Sequence, residues 1–115
     1  MFLDYIYSMS VENSINTDFL NAIKISSPGI LQQLYTDNYP AIENYIINNN
    51  GSAAEAKDIF QEAFVAVWRN VQLDKFAPKN KNEFAAYLFR VCKNKWISFL
   101  RSASYKNIRS LEKET

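Results

Sequence analysis

The sequence predicts an all-α domain, a compact bundle of about four helices. Its 115 residues suit one domain with a core of its own, and its apolar content of 48% is too high for a disordered chain. Two glycines and three prolines leave few turn positions for a sheet of many strands. Four segments instead carry apolar residues at helical spacing, which favours helices throughout.

The composition also argues against several classes of function. Cys92 is the single cysteine, which excludes an internal disulfide framework, and the chain has no histidine for a zinc site or for acid–base catalysis. No apolar run approaches the ~20 residues of a membrane span, and MFLDYIYSMS lacks the pattern of a signal peptide. Since no catalytic motif or glycine-rich phosphate loop is present, we expect a cytoplasmic binding protein without metal or cofactor.

The charge is divided along the chain. Residues 1–74 contain nine acids and three bases, a net charge of −6, whereas residues 75–115 contain ten bases and three acids, a net charge of +7. This asymmetry indicates two different partners, with a polyanion for the basic part. The alternative is two solvated surfaces of opposite sign.

The first helix is predicted near residues 17–26, with Thr17 or Asp18 as its start. Its apolar side would contain Phe19, Leu20 and Ile23.

The second helix is predicted to begin at Ser27, which can cap it, followed by Pro28 at the first helical position. Pro40 is expected to kink or interrupt it, because proline lacks the amide donor and clashes with the preceding turn. The segment NNNGS ends it, and there Gly51 is expected to adopt the left-handed conformation.

The third helix is predicted to start with a capping box formed by Ser52 and Glu55. Its apolar stripe comprises Ile59, Phe60, Ala63, Phe64, Val67, Trp68 and Val71. Five other residues fall on the opposite side: Asp58, Gln61, Glu62, Val65 and Arg69.

A polar loop with three lysines, LDKFAPKNKN (73–82), precedes the fourth helix, which Asn82 is expected to cap. The predicted core stripe of this helix comprises Phe84, Leu88, Val91, Cys92 and Phe99. Its outer positions comprise Arg90, Lys93, Asn94, Lys95 and Arg101.

Two segments, AKDIFQEAFVAVW (56–68) and AYLFRVCKNKWISFLR (86–101), together resemble region 2 of the extracytoplasmic-function group of bacterial sigma factors. Residues 19–42 also look like the opening helices of that family. The sequence departs from the family pattern at Lys57, Cys92 and Ser98, and the last change is expected to weaken a hydrogen bond near the end of helix four.

The resemblance divides the chain into an N-terminal extension (1–17), a region 2-like helical domain (18–106) and the start of a linker or a frayed tail (107–115). Family members carry a second, helix-turn-helix domain that reads the upstream promoter element. The residues here match only the first domain. This chain is therefore either an excised domain or a natural single-domain relative.

The resemblance implies that the third helix docks onto the coiled coil of the RNA polymerase clamp. The residues it places in that contact are Asp58, Gln61, Glu62, Val65 and Arg69. The first three polar side chains fall within one helical turn, where they can meet basic and polar groups of a partner helix. A solvated helix face is the alternative.

The resemblance also implies recognition of the promoter −10 element, with a base flipped out of the non-template strand into a pocket between the loop and helix four. The residues assigned to DNA are Lys75, Phe76, Lys79, Asn80, Lys81, Asn82, Tyr87, Arg90, Lys93, Asn94, Lys95 and Arg101. Lysines would meet phosphates, an aromatic ring would stack on a base, and Asn94 is the expected base reader on helix four.

Other interpretations are open at these positions. Tyr87 can belong to the core, Phe76 can simply hold the loop against the bundle, and the lysines can serve only to keep the protein soluble.

At the level of the whole chain, the family implies a specificity factor for transcription initiation that an anti-sigma factor can hold back. The alternative is a helical protein-interaction module, a sigma-like regulator that has lost DNA binding.

Overall fold

A computed structural model describes residues 18–114 of the chain, with side chains described for residues 18–104. Within that part the chain forms four helices and no strand: α1 (18–24), α2 (Pro28–Asn48), α3 (Ala53–Gln72) and α4 (Lys81–Glu114). The predicted all-α class is confirmed. The expected N-terminal extension lies outside the described residues. Helix α4 continues without a break to Glu114, so it does not mark a boundary at residue 106, and the expected division there stays a prediction.

Helices α2, α3 and α4 pack against one another around a single apolar core. All of its described members are apolar and nearly inaccessible to solvent: Ile23, Leu34, Ile42, Ile46, Ala56, Ile59, Phe60, Ala63, Val67, Val71, Phe84, Leu88, Cys92 and Trp96. Burial of such side chains is the main favourable term in folding. The core therefore fixes which faces of α3 and α4 remain available for function.

Helix α1 is short and is held against the end of α3 by polar contacts. Gln72 Nε2 donates to the carbonyl oxygens of Ile23 and Lys24 at 3.1 and 2.8 Å, and Trp68 Nε1 donates to Ser26 Oγ at 3.0 Å. The two bonds from Gln72 satisfy carbonyl groups that the end of a helix leaves without an intrahelical donor.

Helix α2 begins at Pro28 as predicted, but the Ser27 side chain makes no capping hydrogen bond. A kink or an interruption was predicted at Pro40; the interruption is wrong, because the helix is continuous from Pro28 to Asn48. Pro40 is exposed, so water can reach the carbonyl that loses its amide donor. Buried Leu34 and Ile42 on either side hold both halves of the helix in the core.

The prediction that Gly51 adopts the left-handed conformation is also wrong. Asn50 has that conformation, with φ 72°, and no described glycine has a positive φ. The Gly51 amide closes the helix end by donating to the Ile46 carbonyl oxygen at 2.8 Å, as in a Schellman motif. Glycine is needed here for space, because an added Cβ would lie 2.3 Å from Ile46 Cγ2 and 2.7 Å from Trp96 Cη2.

The predicted capping box of α3 is confirmed. The Glu55 amide donates to Ser52 Oγ at 3.1 Å, and the Ser52 amide donates to Glu55 Oε1 at 3.0 Å. Two amide donors at the start of α3 are thereby satisfied, which defines the first turn of the helix.

The start and the core stripe of α4 differ from the prediction. Asn80, and not Asn82, caps the helix: its Oδ1 accepts from the Glu83 amide at 2.9 Å. Phe99, predicted in the core, is 43% exposed, whereas Trp96, which was not assigned to the core, is 1% exposed. Trp96 takes the inner position because its Nε1 donates to the Asn49 carbonyl oxygen at 3.2 Å, and its ring stacks on Phe99 with centroids 5.4 Å apart.

Candidate protein-docking and nucleic-acid-binding surfaces

The outer face of α3 presents the polar residues that the sequence set opposite its apolar stripe. All five residues predicted to dock are exposed: Asp58, Gln61, Glu62, Val65 and Arg69. Val65 is a large apolar side chain with 48% of its surface accessible. Because Phe60 and Ala63 on the other side of the helix are buried, the core holds this face toward solvent. An exposed face of mixed charge with an apolar residue at its centre suits contact with another protein.

Phe64 and Trp68 belong to the packing of the bundle and not to this outer face. Both are half-buried and pack against the core. The Phe64 ring contacts Tyr35 edge-on with centroids 5.6 Å apart, and Trp68 donates to Ser26 on the side of α1.

The loop between α3 and α4 is attached to the bundle through an aromatic pair. Phe76 stacks on Tyr87 with ring centroids 4.3 Å apart and an interplanar angle of 27°. The Tyr87 hydroxyl accepts a hydrogen bond from Asn70 Nδ2 at 3.1 Å. Both rings are half-buried, so each covers one side of the other. The pair therefore keeps part of its ring surface accessible to solvent.

A salt bridge joins the same loop to the first helix. Asp74, which has a left-handed backbone with φ 58°, pairs with Lys24. Pro78, a few residues later, is buried. These contacts fix the loop at its beginning, at its middle and at the aromatic pair.

The polar side chains around the loop differ in whether they already form a hydrogen bond within the domain. Lys75, Lys79 and Lys81 are exposed. Asn80 uses its side-chain oxygen to cap α4, which leaves its amide NH₂ as the group that can donate to a base. Asn82 is exposed in the first turn of α4.

Five of the predicted DNA-binding residues lie between Arg90 and Arg101 on α4. Arg90, Lys93 and Arg101 are exposed and line neither of the depressions beside α3. Asn94 and Lys95 instead line a cleft whose other wall is α3. Asn94 lies four residues after Arg90 and seven before Arg101, so it borders their face of the helix as well as the cleft, whereas Lys95 lies on the cleft side.

This cleft has a volume of about 800 Å³ and lies between α3 and the second half of α4. Its walls are formed by Glu55, Asp58, Ile59, Glu62, Ala66, Val91, Asn94, Lys95, Trp96, Ser98, Phe99 and Ser102. A second, shallower depression is lined by Gln61, Glu62, Val65, Ala66, Arg69 and Lys95. The two share Glu62, Ala66 and Lys95, so the outer face of α3 continues into the cleft.

The electrostatic contrast predicted from the sequence is retained in space. Residues 75–104 contain seven bases and one acid. The α3 wall of the cleft, in contrast, contributes three carboxylates, from Glu55, Asp58 and Glu62. Neither a cluster of metal ligands nor a helix apolar and long enough to cross a membrane is found among the described residues.

The family model described as sigma-70 region 2 matches residues 34–105, which is more than half of the chain. The chain belongs to the sigma-70 region 2 family. The match begins inside α2 and covers α3, the loop and the first part of α4, so both candidate surfaces of this sigma-70 region 2 chain lie within it.

Curated relatives of this sigma-70 region 2 chain include "ECF RNA polymerase sigma factor SigL" from the Erdman, CDC 1551 and H37Rv strains of Mycobacterium tuberculosis. Each is 28% identical over 81 residues, which are 69% of this chain and 43% of the relative. The aligned part thus spans less than half of the relatives' length. No solved structure matches the chain.

Sequence reasoning missed four residues that shape the two surfaces of this sigma-70 region 2 chain. These are Trp96 and the exposed Phe99 in the cleft, and Asn70 and Gln72, which hold the loop and α1. One signal was available: Phe84, Leu88, Cys92 and Trp96 follow one another at intervals of four residues. The contacts of Asn70 and Gln72 depend on neighbours distant in sequence and leave no local pattern.

Proposed function

We propose that this chain is the promoter-recognition domain of a specificity subunit of bacterial RNA polymerase. It binds the clamp coiled coil of the polymerase core through the outer face of α3. It binds the −10 element of promoter DNA through the loop and the outer face of α4, and holds the displaced non-template strand there. The role is one of binding, without catalysis, metal or cofactor, and it places the chain in the cytoplasm.

Membership of the sigma-70 region 2 family is the observation that carries this proposal. The printed name of the SigL relatives, an RNA polymerase sigma factor, agrees with it. The separation of an acidic α3 from a basic loop and α4 supports two partners of opposite charge.

The docking half of the proposal is supported by the geometry of α3. Asp58, Gln61 and Glu62 are exposed within one turn and beside the apolar Val65. A partner helix with basic side chains around an apolar residue would match both features. Arg69, one turn further along, would meet an acidic residue of the same partner.

The DNA half is supported by charge and by the aromatic pair. Lys75, Lys79 and Lys81 are exposed and would neutralise phosphates. The outer side of the Phe76–Tyr87 pair offers a stacking surface for one unpaired base. Arg90, Lys93 and Arg101 would extend the phosphate contacts along α4.

Base reading is assigned to three amide side chains. Asn80 keeps its NH₂ donors, Asn82 keeps both of its polar groups exposed, and Asn94 is the candidate on α4. An anti-sigma factor that covers either surface would regulate the protein.

Selection from a pool of single-stranded DNA with randomised positions tests the DNA half. The native chain is expected to enrich one short motif and to bind it less tightly as salt is added. The variant Lys75→Ala/Lys79→Ala/Lys81→Ala is expected to lose affinity for all sequences, and its slope of log affinity against log salt should fall by about 2, since each phosphate contact contributes roughly 0.7.

Lys57→Ala removes an exposed lysine from α3 and serves as the control, with an unchanged slope expected. If the native chain enriches no motif yet still binds polymerase core, the DNA half is wrong. The protein would then be a sigma-like interaction module.

A further inference from the structure

The cleft between α3 and α4 has an apolar floor that no described element covers. Phe99 is 43% exposed and stacks on Trp96, which is itself 1% exposed and hydrogen-bonded to the end of α2. The Phe99 ring is therefore presented to solvent on a rigid support. Ile59 and Val91 lie on either side of the floor. An aromatic ring presented in this way is typical of the anchor residues of protein interfaces.

The charges around the floor indicate what kind of partner fits. Three carboxylates line the α3 wall, from Glu55, Asp58 and Glu62. The α4 wall contributes one basic side chain, Lys95. Among the described side chains neither Asp58 nor Glu62 forms a salt bridge. Such a wall repels phosphates and attracts lysine and arginine, which favours a protein over a nucleic acid.

The dimensions of the cleft suit an α-helix. Its α3 wall runs from Glu55 to Ala66 and its α4 wall from Val91 to Ser102. Each wall spans eleven residue steps, which is about 16 Å of helix or roughly three turns. A groove of this length between two helices accommodates the apolar stripe of a third helix.

From these observations we propose that the cleft receives a basic amphipathic helix of the protein that docks on α3, with Phe99 as its apolar anchor. This inference rests on the proposed docking function and extends it from one face of α3 to both walls of the cleft. An apolar side chain of the partner packs on Phe99 and Val91, while its lysine or arginine side chains pair with Asp58 and Glu62. Ser98 then contacts the partner between Asn94 and Ser102 on the α4 wall.

The test measures the affinity of folded variants for purified bacterial RNA polymerase core. Phe99→Ala removes the anchor, and Ser98→Trp fills the cleft at an exposed position without removing an apolar contact. Both are expected to weaken binding about tenfold or more, as truncation of an interface anchor does.

Two substitutions outside the cleft serve as controls. Ile47→Ala truncates an apolar side chain of similar exposure on α2, and Ser104→Trp adds an indole to an exposed position of α4. Native affinity is expected for both.

The inference is overturned, and α3 docking stands, if Phe99→Ala and Ser98→Trp bind core as the native chain does while Asp58→Ala/Gln61→Ala/Glu62→Ala does not. If the native chain itself does not bind core, both the docking function and the inference are wrong.

Discussion

Gly51 shows how one residue joins two helices of the bundle. It closes α2 through its amide and leaves room for the Trp96 indole, which in turn supports the floor of the cleft. Its φ is not positive, so its importance lies in the missing side chain and not in backbone freedom. The end of α2 and the cleft are therefore coupled through Gly51 and Trp96.

Gly51→Ala is expected to destabilise the protein by about 1–3 kcal/mol, the usual cost of overpacking a well-packed core. The reason is that the new Cβ would lie 2.3 Å from Ile46 Cγ2 and 2.8 Å from Trp96 Cζ2. Urea unfolding followed by tryptophan fluorescence gives the free energy of unfolding.

Gly29→Ala is the matched control, since a Cβ at this helical position meets nothing within 4 Å. It should be neutral or stabilising by up to about 1 kcal/mol. Equal stabilities of the two variants would contradict the packing explanation.

Ionisation of the buried Cys92 makes the stability of the fold depend on pH in the alkaline range. Burial raises the pKa of its thiol from an ordinary value near 9 to about 12, with a smaller opposing effect of Lys95. Below about pH 9 the thiol is protonated in both states. As pH rises from 9 toward 12 the unfolded thiol ionises first, so the stability of the fold falls.

Cys92→Ala should therefore lose less stability than the native chain over this pH range, even though it is less stable at neutral pH. The difference in slope is at most about 1.4 kcal/mol per pH unit. Urea unfolding at several pH values between 8 and 11 measures it. Tyr39, whose pKa is also raised to about 12 by desolvation and by the nearby Glu43 carboxylate, contributes equally to both proteins. If the free energy of unfolding falls with pH in parallel for the two proteins, ionisation of Cys92 does not cause the loss of stability at alkaline pH.

Individual residues were predictable from the sequence where the helical period alone decides burial. The positions of Ile59, Phe60 and Ala63 in the core follow from spacing. The four-residue spacing after Cys92 favours Trp96 as a core residue, but spacing alone does not exclude Phe99 from the inner side of α4. The choice depends on the end of α2, which contacts Trp96 and does not cover Phe99.

At the scale of elements, the start of α4 connects stability with the candidate DNA surface. Asn80 caps the helix, and the Lys79 amide donates to Glu83 Oε2 at 2.7 Å, so both residues hold the loop onto the first turn. The sequence offered two asparagines for this cap, and only the backbone path of the loop decides between them.

Asn80→Ala is expected to destabilise the protein by about 0.5–2 kcal/mol through loss of the cap. Asn82→Ala, one position inside the helix, should change stability by less than about 0.5 kcal/mol. Thermal unfolding followed by circular dichroism compares the two. A larger loss in Asn82→Ala would restore the assignment made from the sequence.

Helix α2 shows where a strong local signal misleads. Pro40 predicts a kink or an interruption, yet the helix is not interrupted, and apolar residues at helical spacing continue on both sides of Pro40. Burial of Leu34, Ile42 and Ile46 outweighs one missing backbone hydrogen bond at an exposed site. The outer face of α3, in contrast, was predictable because its helix is amphipathic and well capped.

At the scale of the whole molecule, the division of charge along the sequence becomes a division in space. The acidic half supplies α3, and the basic half supplies the loop and α4. Composition was enough to predict this contrast. The cleft was not predictable, because helical periodicity gives the faces of single helices but not the gap between two of them.

Binding of polymerase core by the outer face of α3 is the interaction on which the proposed function most depends. The direct measurement is the affinity of the folded chain for purified core, compared between the native protein and Asp58→Ala/Gln61→Ala/Glu62→Ala. The control removes the same numbers of acids and glutamines from exposed sites elsewhere, as Asp18→Ala/Gln33→Ala/Asp37→Ala. We predict native affinity for the control and at least about tenfold weaker binding for the α3 variant. Equal binding by all three proteins would show that the outer face of α3 is not the surface that binds polymerase core.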